Sequence, residues 1–362
     1  MPEAEAQPPE VEPRSPPPGA MVFSEEVAVQ WVTVPVTLEK GTAGADLGDN
    51  DPAAPPFALG DFELRVDGRP VSVESFDHGA GPFGLVFAQD LSGSMAHGDK
   101  LRLSRNALAL LLARTGELDE VAILTFAGPA VQVQVPFSSE LAPLDEASMR
   151  WRPYGTTALY DALARVAEVA KESQRSRRAV VLVSDGIDNA STVASDQARA
   201  LLQGAGLPVF VLDVAARFER AGVPARLDSD LVEQVEGSRA PAFSLAELAM
   251  ATGGRYLEVA DHVAMQSAAD QVFRDLRQQY LLGFTTDSAE PAGWHRIEVA
   301  VRADKKSAPQ RLRHRTRYFG SPPAGWSASA AVPAGDAATL VERRRLRGPD
   351  RQRAAPKTSS SE

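Results

Sequence analysis

The sequence predicts an α/β protein: a mainly parallel sheet with helices on both faces, joined to a small β-domain built from the flanking N- and C-terminal strands. Three observations lead there. Short apolar runs alternate with helical stripes from about residue 81 to 280; β-branched, alternating segments stand before and after that region; and neither outer group has enough strands to form a stable sandwich alone.

The elements follow in order. Val27 to Leu38 is β-branched and partly alternating, and Phe62 to Phe76 reads as two strands around Asp67-Gly68, a hairpin signal. Phe83 to Gln89 is a buried strand, Ser104 to Ala113 has helical spacing, Val121 to Phe126 is a second buried strand, and Val131 to Val135 alternates like an edge strand. Ala158, Leu159, Ala162, Leu163, Val166 and Ala170 form a helical stripe, followed by a strand at Ala179 to Val183, a helix around Gln197 to Leu202 and a strand at Val209 to Val214. Ser244 with Glu247 makes a capping box for a helix to Ala251, which Gly253-Gly254 stops before the strand Tyr256 to Val259. A last helix, about Val263 to Gln279, leads to strands at Gln279 to Thr286, His295 to Arg302 and Arg311 to Phe319. The expected organisation is a disordered 1–20, an N-terminal β-segment 21–80, an α/β domain 81–280, a C-terminal β-segment 281–320 and a disordered tail 321–362, with 215–243 a polar insertion.

At 362 residues and 44% hydrophobic content the chain can bury one large core and one smaller one. A net charge of -10 argues against nucleic acid as a partner, because phosphate contacts need a concentrated basic face. With no cysteine, disulfides, thiolate catalysis and Cys-ligated zinc are excluded. No run of about eighteen apolar residues predicts a membrane span, and the acidic, Pro-rich N-terminus does not read as a signal peptide. Arg343, Arg344 and Arg345 read as part of a solvated tail.

The chemistry concentrates at Asp90-Leu91-Ser92-Gly93-Ser94, just after the first apolar strand of the α/β region, where open sheets bind ligands. Asp, Ser and Ser at alternate positions of a tight turn can aim three oxygens at one point, and hard oxygen donors suit Mg²⁺. Gly155-Thr156-Thr157 and Ser184-Asp185-Gly186 are expected at the same sheet edge. Ser92, Ser94 and Thr157 then reach a metal through their hydroxyls, while Asp90 and Asp185 hold coordinated waters and orient the hydroxyls. A shell made mostly of neutral oxygens leaves the ion's charge poorly neutralised, so an external Asp or Glu carboxylate could complete it.

These residues carry a resemblance. Asp90-x-Ser92-x-Ser94, Thr157 in GTTALYDAL and Asp185 in VLVSDGIDN resemble the metal-ion-dependent adhesion site of the von Willebrand factor type A (VWA) domain, over about 81 to 279. The resemblance implies a Rossmann-like fold, Mg²⁺ (or Mn²⁺) as the ion, and a protein ligand presenting Asp or Glu. The flanks DFELRVDGRPVSVESF and RQQYLLGFTTDSAEPAGWHRIEVAVR, with RTRYFG beyond, resemble bacterial proteins abundant in Acidobacteria in which such a domain sits between β-segments. Those relatives are typically exported.

Competing readings are blander. Asp90, Ser92 and Ser94 alone could form a capped turn; Thr156 is expected to cap the helix after Thr157; Asp188 and Asn189 read as turn residues; Asp161 reads as exposed or locally paired. His78, His97, His262, His295 and His314 show no zinc-ligand spacing. An Asp-nucleophile phosphohydrolase would want an aspartate where Ser92 stands, and a serine hydrolase would want G-x-S-x-G, so an enzyme is not expected. The alternative to metal-dependent binding is a structural module whose loop never loads metal.

Overall fold

The computed structural model describes residues 30–39, 57–78, 81–215, 244–286, 293–302 and 311–320. The expectations for 1–20, 215–243 and 321–362 fall outside them, save for Ala215.

The α/β domain is built on a six-stranded sheet. Its strands are β5 (Phe83–Asp90), β6 (Glu120–Ala127), β7 (Ala130–Ser138), β8 (Arg177–Ser184), β9 (Val209–Asp213) and β10 (Arg255–Glu258), in the order β10-β9-β8-β5-β6-β7. All neighbours are parallel except β7, which closes one edge antiparallel to β6. Every residue of β5 is buried, as expected of a parallel strand covered on both faces. Its side chains alternate: Leu85 and Phe87 join the core under α1 (Lys100–Leu112), α2 (Leu141–Met149) and α6 (His262–Arg277). Val86 and Ala88 join the core under α3 (Leu159–Val169), α4 (Ser195–Ala205) and α5 (Leu245–Thr252).

Local signals fix several boundaries. Ser244 Oγ accepts from the Glu247 amide at 3.2 Å while the Glu247 carboxylate accepts from the Ser244 amide at 2.7 Å, the reciprocal cap that starts α5. Gly253, at φ 83°, ends it in the left-handed conformation. Thr156, expected to cap α3, is exposed and does not. The first amide of α3, from Leu159, donates instead to Asp188 Oδ1 at 2.8 Å, a cap supplied by another loop. Asp161 is not locally paired: its carboxylate accepts from the amides of Thr192 and Val193, at 2.9 and 2.7 Å.

The flanking strands pair with each other. β1 (Gln30–Glu39), β4 (Ser75–His78), β11 (Tyr280–Thr286) and β13 (Arg311–His314) form an antiparallel sheet ordered β13-β1-β11-β4. β2 (Phe62–Val66), β3 (Arg69–Val71), β12 (Trp294–Val301) and β14 (Arg317–Phe319) form another, ordered β14-β12-β2-β3. Val34, Phe62, Leu64, Leu282, Phe284 and Ile297 lie in one core between them. Asp67 and Gly68 both have positive φ (49° and 78°), the turn that suits a two-residue hairpin.

The chain leaves this frame after β4 and returns at β11, and these two strands are hydrogen-bonded neighbours with Tyr280 opposite His78. Arg177, 2% exposed, secures the junction. It donates to Asp77 Oδ2 at 2.9 Å and to the Gln279 carbonyl at 2.7 Å. The junction lies at the amino ends of the parallel strands. Seven residue steps along β5 at about 3.3 Å each place Asp90 about 23 Å away.

Candidate metal site

Asp90 ends β5 and Ser184 ends β8, the adjacent central strands from which the chain runs outward in opposite directions, so the two straddle the crevice where such sheets bind ligands. Three loops meet there and are stitched by backbone hydrogen bonds. The Gly93 amide donates to the Gly155 carbonyl at 2.9 Å and the Tyr154 amide to Leu91 at 2.8 Å, tying the Asp-x-Ser-x-Ser turn to the Thr157 loop. The amides of Asn189 and Ala190 both donate to the Thr157 carbonyl at 3.0 Å, and the Thr157 amide donates to Asn189 Oδ1 at 2.7 Å, tying that loop to Asp185's. Gly93 allows the first approach: a Cβ there would lie 3.2 Å from the Gly155 oxygen.

All five candidate residues therefore belong to converging loops at one sheet edge. Asp90, Ser92, Thr157 and Asp185 are buried and Ser94 is partly exposed. Ser92 and Ser94 bring their hydroxyls within 3.1 Å of each other. Asp90 Oδ1 accepts from the Ser92 amide at 2.8 Å and Oδ2 from the Ser184 hydroxyl at 2.7 Å. Burial, and next the charge of Asp185, push the Asp90 carboxyl up to about 6, against the lowering effect of those hydrogen bonds. Among the five side chains, hydrogen bonding links Ser92 to Ser94 and Ser92 to Asp90; Thr157 is held through its backbone.

The residues that the sequence reading missed are those that act across the fold. Lys100, the first residue of α1, is buried and its ammonium donates to Asp185 Oδ2 at 2.7 Å. Ser184 holds Asp90. Asp188 and Asn189, read as turn residues, are the stitches between the loops. A buried lysine is uncommon enough that hydropathy alone would place Lys100 on the surface; its only signal is its position ten residues after Asp90 on the next helix.

The donor set fits a hard cation. Asp185 Oδ1 is buried and has no hydrogen-bond partner, while Lys100 pairs only with the other oxygen, Oδ2. Two carboxylates that repel each other, with two hydroxyls beside them, are the oxygen ligands that Mg²⁺ or Mn²⁺ takes. Among the described residues no group of three or more His, Asp or Glu side chains is placed to hold a metal, so an ion here would need the hydroxyls as its remaining donors. Lys100 already supplies one positive charge, leaving the ionised pair of aspartates a net charge of minus one.

Residues 85–187 match the family model of the von Willebrand factor type A domain. Among solved structures, a von Willebrand factor type A protein from Catenulispora acidiphila is similar at 12% identity, over 72% of each chain and with a TM-score of 0.42. An aerotolerance-related membrane protein from Bacteroides fragilis is similar at 20% identity, over 54% of this chain and 98% of that one, with a TM-score of 0.41. The PilB minor pilin from Streptococcus sanguinis is similar at 13% identity, over 56% and 62%, with a TM-score of 0.38. No curated protein matches the chain.

Proposed function

Starting from a von Willebrand factor type A domain at residues 85–187, we propose that the chain is a protein-binding module whose loop edge holds Mg²⁺, or Mn²⁺ in its place, and uses it to grip an acidic side chain of a partner. Ser92, Ser94 and Thr157 would hold the ion by their hydroxyls, and Asp90 and Asp185 through waters. When bound, the ion supplies a positive centre for an Asp or Glu carboxylate. The observation that carries this reading is the buried, unpartnered Oδ1 of Asp185, set in a loop stitched to the Asp-x-Ser-x-Ser turn by way of Thr157.

Two features favour binding over catalysis. The turn has a serine at 92 where a phosphohydrolase would need a second aspartate, and exposed Tyr154 and Ile187 flank the loops. Two exposed apolar side chains beside a polar centre suit a protein partner. Calorimetric titration with MgCl₂ and MnCl₂ tests the site. Saturable binding that weakens at least about tenfold in Ser92→Ala and Asp185→Ala is expected from the effects of removing ligands or their supports; binding equal to the parent refutes the assignment.

One observation favours a second reading, a scaffold that loads no metal: the Lys100 ammonium already sits on Asp185 at 2.7 Å. On that reading neither salt produces heat of binding in the parent, and proteins captured from a native extract stay captured in EDTA.

A further inference from the structure

At the opposite edge of the sheet from Asp90, a cavity of about 190 Å³ lies between the α/β domain and the β-frame. It is lined by β1, by the start of β8 and by the turn from α4 to β9. Two of its walls are guanidinium groups, Arg178 and Arg315, and no carboxylate lines it.

Arg315 is 4% exposed. One of its terminal nitrogens donates to the Gln203 carbonyl in the last turn of α4 at 3.1 Å, and its Nε is buried with no partner. Arg178 is partly buried and donates to the Ala170 carbonyl, just past the end of α3, at 3.2 Å. Neither forms an ion pair with a carboxylate among the described residues. Burial depresses both, Arg315 to about 10.

A charge taken out of water costs several kcal/mol unless it is paired. Among the described residues the compensation is the negative end of each helix, equivalent to about half a charge, with a smaller favourable contribution to Arg315 from Tyr318. Two full cations against two such ends leave about one positive charge facing this partly open cavity. Ser176 also lines that space, and a hydroxyl can donate to an oxyanion. The volume holds several waters or one tetrahedral oxyanion, and the planar fork of arginine suits a phosphate better than a halide. Gly206 keeps the seat open, since a Cβ there would stand 2.8 Å from the Arg315 guanidinium.

We propose that this cavity binds a small oxyanion of the phosphate type, clamped between Arg178 of the α/β domain and Arg315 of the frame. The ligand would join the two parts of the molecule, far from the metal edge.

Calorimetric titration of the full chain with inorganic phosphate, in EDTA and against chloride at matched ionic strength, tests it. Phenyl phosphate in a parallel arm separates a free ion from a phosphomonoester end group, and binding of either supports the proposal. The parent is expected to bind saturably at millimolar concentration or tighter. Arg178→Gln, whose fold is checked by circular dichroism, should bind at least about tenfold more weakly, the loss of about 1.4 kcal/mol of binding free energy. Ser92→Ala should bind as the parent does, which separates this cavity from the metal edge. Absence of saturation in the parent with both ligands, or equal affinity in Arg178→Gln, overturns the proposal and assigns the two arginines to helix capping alone.

Discussion

The Lys100 ammonium and the Asp185 carboxylate form a buried ion pair at 2.7 Å, their side chains 10% and 1% exposed, beside the residues suited to a divalent ion. On the proposed metal-binding reading, an external cation would contend with this internal one for the same carboxylate.

Lys100→Met should therefore act in two directions. Breaking one half of a buried pair costs about 3–5 kcal/mol, so in EDTA the variant unfolds at lower urea than the parent. With MgCl₂ it recovers more stability than the parent does, because no ammonium opposes the ion at Asp185. Urea denaturation under the two conditions measures both effects; equal recovery in the two proteins counts against contention.

Asp90 gives a pH dependence of definite sign. Its carboxyl holds a proton up to about pH 6 in the folded chain against an ordinary value of 3.8, so the native state binds the proton more tightly. Stability accordingly falls as pH rises from about 4 through about 6, by about 3 kcal/mol at about 1.4 kcal/mol per pKa unit. Asp90→Asn removes this slope. In EDTA it should be more stable than the parent at pH 7 by up to that amount and indistinguishable from it below about pH 4. A parent whose stability is flat across this window contradicts the account.

Arg177→Met should loosen the junction between the frame and the α/β domain. The guanidinium is 2% exposed and holds both Asp77 and the Gln279 carbonyl; its removal leaves half-exposed Asp77 to water and the Gln279 carbonyl without its donor, a loss of about 1–3 kcal/mol. Asp77→Asn keeps an acceptor oxygen for the buried guanidinium and should cost less. Thermal unfolding of the two variants checks the order.

Two glycines make an internal comparison. A Cβ on Gly254 would stand 2.0 Å from the Val209 carbonyl oxygen, so Gly254→Ala is expected to destabilise by at least about 2 kcal/mol. Gly204, within α4, has no atom within 4 Å of the same position, and Gly204→Ala should stabilise by about 0.5–1 kcal/mol. Chemical denaturation curves that reverse this order would refute the packing described.

What the sequence shows of this molecule is what short-range pattern can encode. The buried strand Phe83–Asp90 is legible because eight consecutive residues face cores on both sides, and the start of α5 is legible because Ser244 and Glu247 cap each other over three residues. Asp90, Ser92 and Ser94 stand within one turn, and Thr157 and Asp185 follow recognisable strand and helix edges. Lys100, Ser184, Arg177 and Arg315 are not legible, because each acquires its role from a contact across tens of residues: Lys100 with Asp185, Ser184 with Asp90, Arg177 with Asp77, Arg315 with Gln203. The Thr156 expectation fails for the same reason. A hydroxyl in the right place yields to the carboxylate of Asp188, brought in from the next loop.

Because β4 and β11 lie side by side with His78 opposite Tyr280, the two hundred or so residues between them are, topologically, the loop of one β-hairpin. A two-residue turn spliced from His78 to Tyr280 would close an ordinary hairpin and leave the frame's strand order intact. The α/β portion is in this sense a cassette: its entry and exit share one doorway, so another cassette with closely spaced ends could be housed in the same frame without rethreading a strand.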